Sequence, residues 1–384
     1  RQNRSTATQR SPQPAVLPQR YRILVNPYSR ITSVIYKEYT MRKTLELYGT
    51  LGPSDHSTEI LNDMFQAGMT GLRLNLSHTN LADCEPWLHN LYAVAEKRHI
   101  VPNLLVDLQG PEVRIGILKE PLPLSDGCTV RLRPISAMAE TAIPVPEAVF
   151  SYLREGQTLR LDDGNIILTV TKVFQTMPEA EAEVKTGGLL SSRKSLAIDG
   201  VSVELPTLTD QDLENLKVLR KYRVTGVMLP FVRGSEDLLN LKQTLMNYHL
   251  AHIRIFAKIE NRQGVEQLPS LLPHCDQIVV ARGDLGNAYP LSKLPAVQKQ
   301  IARTCLTFKK PFMVVTQMLA SMTEHPVPTR AEVSDIFNAV LDGASSLMLT
   351  GETAAGRYPV EAMQVLSDTS LEALRYRMES KFFF

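Results

Sequence analysis

Lys258 and Glu260 stand two residues apart in the run IRIFAKIEN, and Asp284 follows 24 residues after Glu260 in QIVVARGDLG. If IRIFAKIEN is a strand, alternation places the ammonium and the carboxylate on one face. Asp284 ends the next apolar run and brings a second carboxylate to the same space. Two hard oxygen ligands beside a cation make a place for a divalent metal such as Mg²⁺ and for a phosphoryl group.

The elements that must position these residues are legible from hydrophobic period. TLELYG precedes a helix from about Ser57, in which Ile60, Leu61, Met64 and Phe65 recur at helical spacing up to Gly68. GLRLNL leads to a second helix through about Lys97, and VPNLLVD is a third strand-like run. The pattern resumes after residue 205 with a helix near Thr209, where Asp212 three residues on suggests a capping box. GVMLP, IRIFAK, QIVVAR, PFMVVT and SSLMLT then alternate with helical segments, the last from about Pro359. Eight such strand and helix units predict a closed parallel (β/α)8, or TIM, barrel.

Residues 115 to 205 read differently: short alternating runs, TVRLRP and TLRLDDGNIILTVTKV, with a turn at Asp163 and Gly164. This predicts a small all-β domain inserted after the third strand, placed to act as a lid over the barrel mouth. The expected organisation is barrel over 41–114 and 206–376, insertion over 115–205 and a tail at 377–384.

With 384 residues, 43% hydrophobic content and a net charge of +2, the chain has ample material for a core. No bulk charge favours nucleic acid, and no run of about 18 apolar residues suits a membrane helix. Residues 1 to 40 carry seven Lys or Arg against Glu38 alone, hence +6, while the remaining residues sum to −4. That stretch, rich in Gln, Ser, Pro and Arg, is expected to be a disordered extension or a mis-set start, with a mitochondrial-type presequence as the alternative. Met41 reads as a natural start. Cys84, Cys128, Cys275 and Cys305 have no CxxC or zinc spacing and are expected to be separate thiols in a reducing cytoplasm.

In a barrel of this kind, chemistry lies at the C-terminal ends of the strands. Polar clusters stand there at seven of the eight: RLNLSH, VDLQGPEVR, FVR, AKIEN, ARGDLG, VTQM and LTGETA. Taken singly, Arg73 reads equally well as a surface ion pair and His78 as a structural hydrogen-bonder. Together, and with TLGPSD and PTRAEVSDIFNAVLDGASSLMLTGETAAGRYP, they resemble the pyruvate kinase family from Met41 to about residue 374. The family's barrel with a β-domain after strand three matches the organisation read above.

The resemblance implies a set of roles. Glu260 and Asp284 would hold Mg²⁺ or Mn²⁺. Ala281, Gly283 and Asp284, through their amides, and the Thr316 hydroxyl would receive the carboxylate of phosphoenolpyruvate. Lys258 and Arg73 would face the transferring phosphoryl group. Asn75, Ser77, Asp107 and the carbonyl of Leu108 would bind K⁺, with Glu112 the acid that accompanies potassium dependence. Asn75, His78, Arg114 and Lys194 would approach ADP or ATP. Thr316, Thr350 or a water near them would return a proton to the enolate, yielding pyruvate. The implied enzyme is a cytoplasmic phosphotransferase of glycolysis, assembled, if at all, through barrel contacts.

This chain departs from the family pattern at RKSLAIDG (Arg193 to Gly200), at Ala288 in GDLGNAYP and at Leu108. It also stops at KFFF, where the family carries a further C-terminal domain, so a short form or a truncated sequence is expected. Two other readings stand beside the kinase: a metal-dependent aldolase or lyase of keto acids, and a weakly catalytic ligand sensor. Lys258 and Thr316 favour an enzyme; His78, Arg114 and Lys194 favour a kinase. No GxxxxGK[ST] loop occurs.

Overall fold

Short apolar runs bounded by Gly, Pro, Asn or Asp form strands, and the amphipathic segments between them form helices. The computed structural model describes residues 45–380 apart from 78, 138–141, 202 and 204, so the 1–40 extension, Met41, His78 and the last four residues lie outside the described residues. The chain opens with β1 (Glu46–Thr50), α1 (Thr58–Gln66), β2 (Gly71–Asn75), α2 (Glu85–Arg98) and β3 (Asn103–Asp107). An insertion follows: β4 (Leu122–Leu124), β5 (Thr129–Pro134), β6 (Ala142–Val145), β7 (Thr158–Leu161), β8 (Ile166–Val173), β9 (Ala180–Thr186), β10 (Gly188–Leu190) and β11 (Leu196–Ile198).

The alternation of strands and helices then resumes. It runs α3 (Asp210–Lys217), β12 (Gly226–Leu229), α4 (Ser235–Asn247), β13 (Arg254–Ile259), α5 (Arg262–Glu266), α6 (Leu268–Leu271), β14 (Gln277–Ala281) and α7 (Arg282–Ala288). After these come α8 (Leu294–Thr307), β15 (Phe312–Val315), α9 (Arg330–Leu341), β16 (Ser346–Met348), α10 (Gly351–Ala354) and α11 (Pro359–Ser380).

Strands β1, β2, β3 and β12 to β16 close into a parallel TIM barrel in the order β1-β16-β15-β14-β13-β12-β3-β2. The insertion after β3 forms a six-stranded sheet, β11-β7-β8-β9-β5-β6, and a β4-β10 pair. It has its own core of residues such as Leu132, Leu159, Leu168, Val170 and Val184. In β8 and β9 buried and half-exposed residues alternate, as a sheet with one covered face requires.

Local signals explain the helix starts. Ser57 caps α1 by accepting from the Ile60 amide, and Leu61, Met64 and Phe65 form its buried stripe. Thr209 with Asp212 and Thr329 with Glu332 are reciprocal capping boxes at α3 and α9.

Inside the barrel, Tyr48, Leu105, Met228, Phe256, Val279, Met313 and Met348 pack as one cluster. Gly226 makes room for it: a Cβ there would lie 2.7 Å from both the Leu105 and Phe256 side chains. Among the described residues no helix is long and apolar enough to cross a membrane.

The turn after β1 is closed by a buried carboxyl group. Asp55 is fully buried, and its Oδ1 accepts from the Gly52 amide at 2.7 Å. Among the described residues its Oδ2 has no hydrogen-bond partner. Burial pushes the Asp55 pKa up from 3.8 to about 8, against the small opposing effect of the Gly52 amide. The folded chain therefore keeps a proton that the unfolded chain releases, so this contribution to stability is full below pH 3.8 and is lost as pH rises toward about 8. Asp55→Asn is expected to flatten that decline, which approaches about 1.4 kcal/mol per pH unit for a single group. Urea unfolding from pH 4 to 9 checks it, and identical pH profiles for the two proteins would refute it.

Candidate active site at the barrel mouth

Alternation along β13 sends Phe256, Lys258 and Glu260 to the barrel interior in succession: the aromatic ring into the core, then the ammonium, then the carboxylate at the rim. The same period on β3 puts Leu105 in the core and Asp107 at the strand end. Parallel register sets Asp107 beside Asn75 of β2 and beside Met228 of β12. Residues from different strands are thus delivered to one level.

Asp107 is 1% exposed. Arg73 donates to its Oδ2 at 2.6 and 3.1 Å, and the Lys258 ammonium lies 3.2 and 3.0 Å from its two oxygens. The same ammonium pairs with Glu260 Oε1 at 3.0 Å, while Glu260 Oε2 accepts from the Phe231 amide at 2.7 Å. Burial works against the Lys258 charge, but Asp107 and then Glu260 more than offset it, and its pKa is raised. Burial pushes the Glu260 carboxyl up; Lys258 opposes this, and Asp284 and Asp107 add to it.

Arg73 and Lys258 thus stand among three carboxylates, Asp107, Glu260 and Asp284, and burial with the repulsion of its acidic neighbours raises the Glu260 pKa. A divalent cation between Glu260 and Asp284 would relieve that repulsion, and both donors are hard oxygens. Among the described residues no group of three or more acids, His or Cys is arranged to enclose a metal alone. A Mg²⁺ ion, which commonly keeps waters and substrate oxygens as ligands, fits such a partial set. Asn75 and Ser77 add oxygen donors close by: the Asn75 side-chain carbonyl accepts from the Ser77 amide and hydroxyl at 3.3 and 3.0 Å. Leu108 is held by its own amide, which donates to the Met228 carbonyl at 3.1 Å.

On the neighbouring strand end, Thr316 follows β15 directly, and its backbone is left-handed with φ +75°. Its methyl faces Gly283 of α7, where an added Cβ would come within 3.1 Å of Thr316 Cγ2. Ala281, Gly283 and Asp284 thus lie along the chain at the end of β14, with Gly283 facing Thr316 where an added Cβ would be crowded.

Arg114 and Lys194 are brought to adjoining segments. Residues 113–116 and 193–196 form an antiparallel ladder through Ile115 N to Lys194 O, Arg193 N to Gly116 O and Leu196 N to Val113 O. Arg114 pairs with Glu112 and donates to the Arg193 carbonyl; Lys194 pairs with Asp162 at 2.6 Å. A cleft of about 830 Å³ runs between the barrel mouth and the inserted domain. Glu112, Ser195, Glu260 and Asp284 all line it, so the metal-type carboxylates and the neighbours of both cations share one space.

Sequence reasoning passed over the residues that hold the loops. Asp212, read only as a cap, also accepts from the amides of Gln109 at 2.8 Å and Gly110 at 3.0 Å, fixing the loop that carries Glu112. Glu352, fully inside the protein, accepts from the amides of Leu319 and Thr350 and from the Thr350 hydroxyl. Arg282 and Asp335 form an ion pair behind Thr316 at 2.6 Å. Glu352, Arg282 and Asp335 lay inside quoted motifs, but the contacts of Glu352 with Leu319 and of Arg282 with Asp335 join residues remote in sequence.

Comparison with known proteins is consistent with this geometry. A family model described as "Pyruvate kinase, barrel domain" matches residues 41–363. The pyruvate kinase of Bacillus licheniformis is 35% identical over 343 residues, covering 88% of this chain and 58% of that protein. Those of Chlamydia pneumoniae and Thermotoga maritima are 37% and 36% identical, covering 84% and 87% of this chain and 67% and 71% of their own lengths. The chain thus spans less than two thirds of the Bacillus protein.

Replacing Asp107 with Ala would leave Arg73 and Lys258 buried without their shared counter-charge. The expected cost is about 3–5 kcal/mol of folding stability, read from the denaturant midpoint. A loss within about 0.5 kcal/mol, the size of an ordinary surface substitution, would contradict the cluster described here.

Proposed function

The chain belongs to the pyruvate kinase family, and on that premise we propose that it transfers the phosphoryl group of phosphoenolpyruvate to ADP, giving pyruvate and ATP. The observation that carries the reading is the placement of Lys258 between Asp107 and Glu260 at the end of β13, with Arg73 sharing Asp107 Oδ2 with it. Phosphoryl transfer spreads charge over three oxygens, so it needs fixed positive charge more than covalent help. Asp107 supplies the fixing: its Oδ2 accepts from both cations before substrate arrives.

Glu260 and Asp284 would hold Mg²⁺ or Mn²⁺, which when bound adds a Lewis acid beside the phosphate and the enolate oxygen. The amides of Ala281, Gly283 and Asp284 and the Thr316 hydroxyl take the substrate carboxylate. Arg73 faces the phosphate, and Lys258 faces the enolate oxygen that the departing phosphoryl group leaves behind. Asn75, Ser77, Asp107 and Leu108 offer a monovalent cation an all-oxygen set, with Glu112 nearby. Arg114, Lys194, His78 and Asn75 are assigned to the nucleotide phosphates. For that, Lys194 exchanges Asp162, and Arg114 exchanges Glu112, for the phosphate oxygens.

The Thr350 hydroxyl donates to Glu352 at 3.1 Å, so Thr316 is the better placed of the two to hold a proton, or a water, for the enolate carbon. The keto-acid lyase and sensor readings have no need of two phosphate-facing cations on adjoining segments. All four cysteines are free, in keeping with a cytoplasmic enzyme.

The test is a coupled assay of the full chain with phosphoenolpyruvate, ADP, Mg²⁺ and K⁺. Lys258→Met is expected to lower kcat by about 10²–10³, as loss of one preorganised donor does. ATP formation that is absent in the parent protein, or untouched by Lys258→Met, would sink the kinase reading. Removing Mg²⁺ with a chelator is expected to abolish turnover, and removing K⁺ to reduce it strongly. Undiminished activity without K⁺ would strip Asn75, Ser77, Asp107, Leu108 and Glu112 of their assigned role.

A further inference from the structure

Thr316 adopts φ +75° and Gln317 after it φ +53°. A β-branched residue rarely takes the left-handed region, and such strain persists only where the surroundings impose it. The surroundings that impose it are specific. The Arg282 side chain is 11% exposed, and its guanidinium reaches behind the end of β15. There Nη2 donates to the Thr316 carbonyl at 2.7 Å and Nε lies 3.2 Å from the same oxygen. Nε also lies 3.3 Å from the Val315 carbonyl, and Nη2 lies 2.9 Å from Met318 Sδ. The fork is anchored by Asp335 of α9, whose Oδ2 accepts from Nη1 at 2.6 Å.

The Thr316 methyl faces Gly283, where an added Cβ would lie 3.1 Å from Thr316 Cγ2. The peptide is thus held at its carbonyl by Arg282, while the absent side chain at Gly283, next to Arg282 in sequence, leaves the Thr316 side chain its space.

We infer that Arg282, anchored by Asp335, is a positioning residue that holds Thr316 in its left-handed conformation and so sets the direction of the hydroxyl that receives the substrate carboxylate. The substrate class this serves is a small enol or keto acid, and that part of the inference rests on the function proposed above. Planar geometry matters here, because one guanidinium spans the two carbonyls and the Asp335 carboxylate at once. A lysine at 282 would supply charge without the fork.

Two experiments separate the inference from the reading it rests on. The first needs no substrate: a crystal structure of the Arg282→Gln variant is expected to show Thr316 relaxed to negative φ. Thr316 remaining at its present φ would overturn the clamp. The second is a kinetic cycle with Thr316→Ala. Arg282→Gln is expected to raise the KM for phosphoenolpyruvate about tenfold in the parent, the weight of one hydrogen bond to a charged group, while leaving the KM for ADP unchanged. In the Thr316→Ala background the same substitution is expected to change it less than about twofold.

Equal effects in both backgrounds would mean that Arg282 acts elsewhere and would overturn the positioning role. If Arg282→Gln does not fold, Asp335→Asn, at a side chain 34% exposed, carries both measurements with smaller shifts. A parent protein without activity toward phosphoenolpyruvate removes the proposed function, while the crystallographic result still decides the clamp.

Discussion

A single buried carboxylate, Asp107, organises the mouth of this barrel. It accepts from Arg73 of β2 and from Lys258 of β13, two strands that are not neighbours, and so ties together side chains that neither strand alone could bring into contact. Removing such charges from water costs several kcal/mol per ion, and an ordinary stability argument would favour apolar residues in their place. The cluster is instead a store of preorganised charge. Once Glu260 and Asp284 are counted, acids outnumber bases there, the balance that the divalent cation of the proposed function would offset.

The loops around that cluster are held by a second set of buried polar groups that touch no reacting atom. Asp212 holds the amides of Gln109 and Gly110, Glu352 those of Leu319 and Thr350, and Arg282 the carbonyls of Val315 and Thr316. In each case a charged side chain satisfies backbone groups at or just beyond the end of a barrel strand. Loops that carry chemistry cannot rely on ladder hydrogen bonds, so their backbone polar groups need such partners to stay in place. This is how a rigid barrel extends its precision to irregular chain.

The inserted domain follows another logic. It packs around its own apolar core and meets the barrel across the cleft that Glu112, Ser195, Glu260 and Asp284 line. The segment RKSLAIDG diverges from the family pattern, yet its backbone forms the ladder that sets Lys194 beside Ile115 and Ser195 beside Arg114. Main-chain pairing tolerates changes of side chain, so this ladder places Lys194 without depending on the identity of the side chains around it.

Much of this was legible before any coordinates. The period of two in IRIFAKIEN placed Lys258 and Glu260 on one face, and the run of alternating strands and helices implied closure into a barrel whose strand ends converge. The capping box at Thr209 was local chemistry and was read locally, while the caps at Ser57 and Thr329, equally local, emerged with the structure. Partner choice was not. Nothing near Asp107 in the sequence says that it will face Arg73 and Lys258 rather than solvent, and nothing near Thr316 says that Arg282 will bend it. Covalent neighbours determine which face a side chain points to, because backbone geometry repeats every two or 3.6 residues. Which distant charge it meets there is decided only when the sheet closes, since register between strands joins residues that the chain separates by 34 positions for Arg73 with Asp107 and 151 for Asp107 with Lys258.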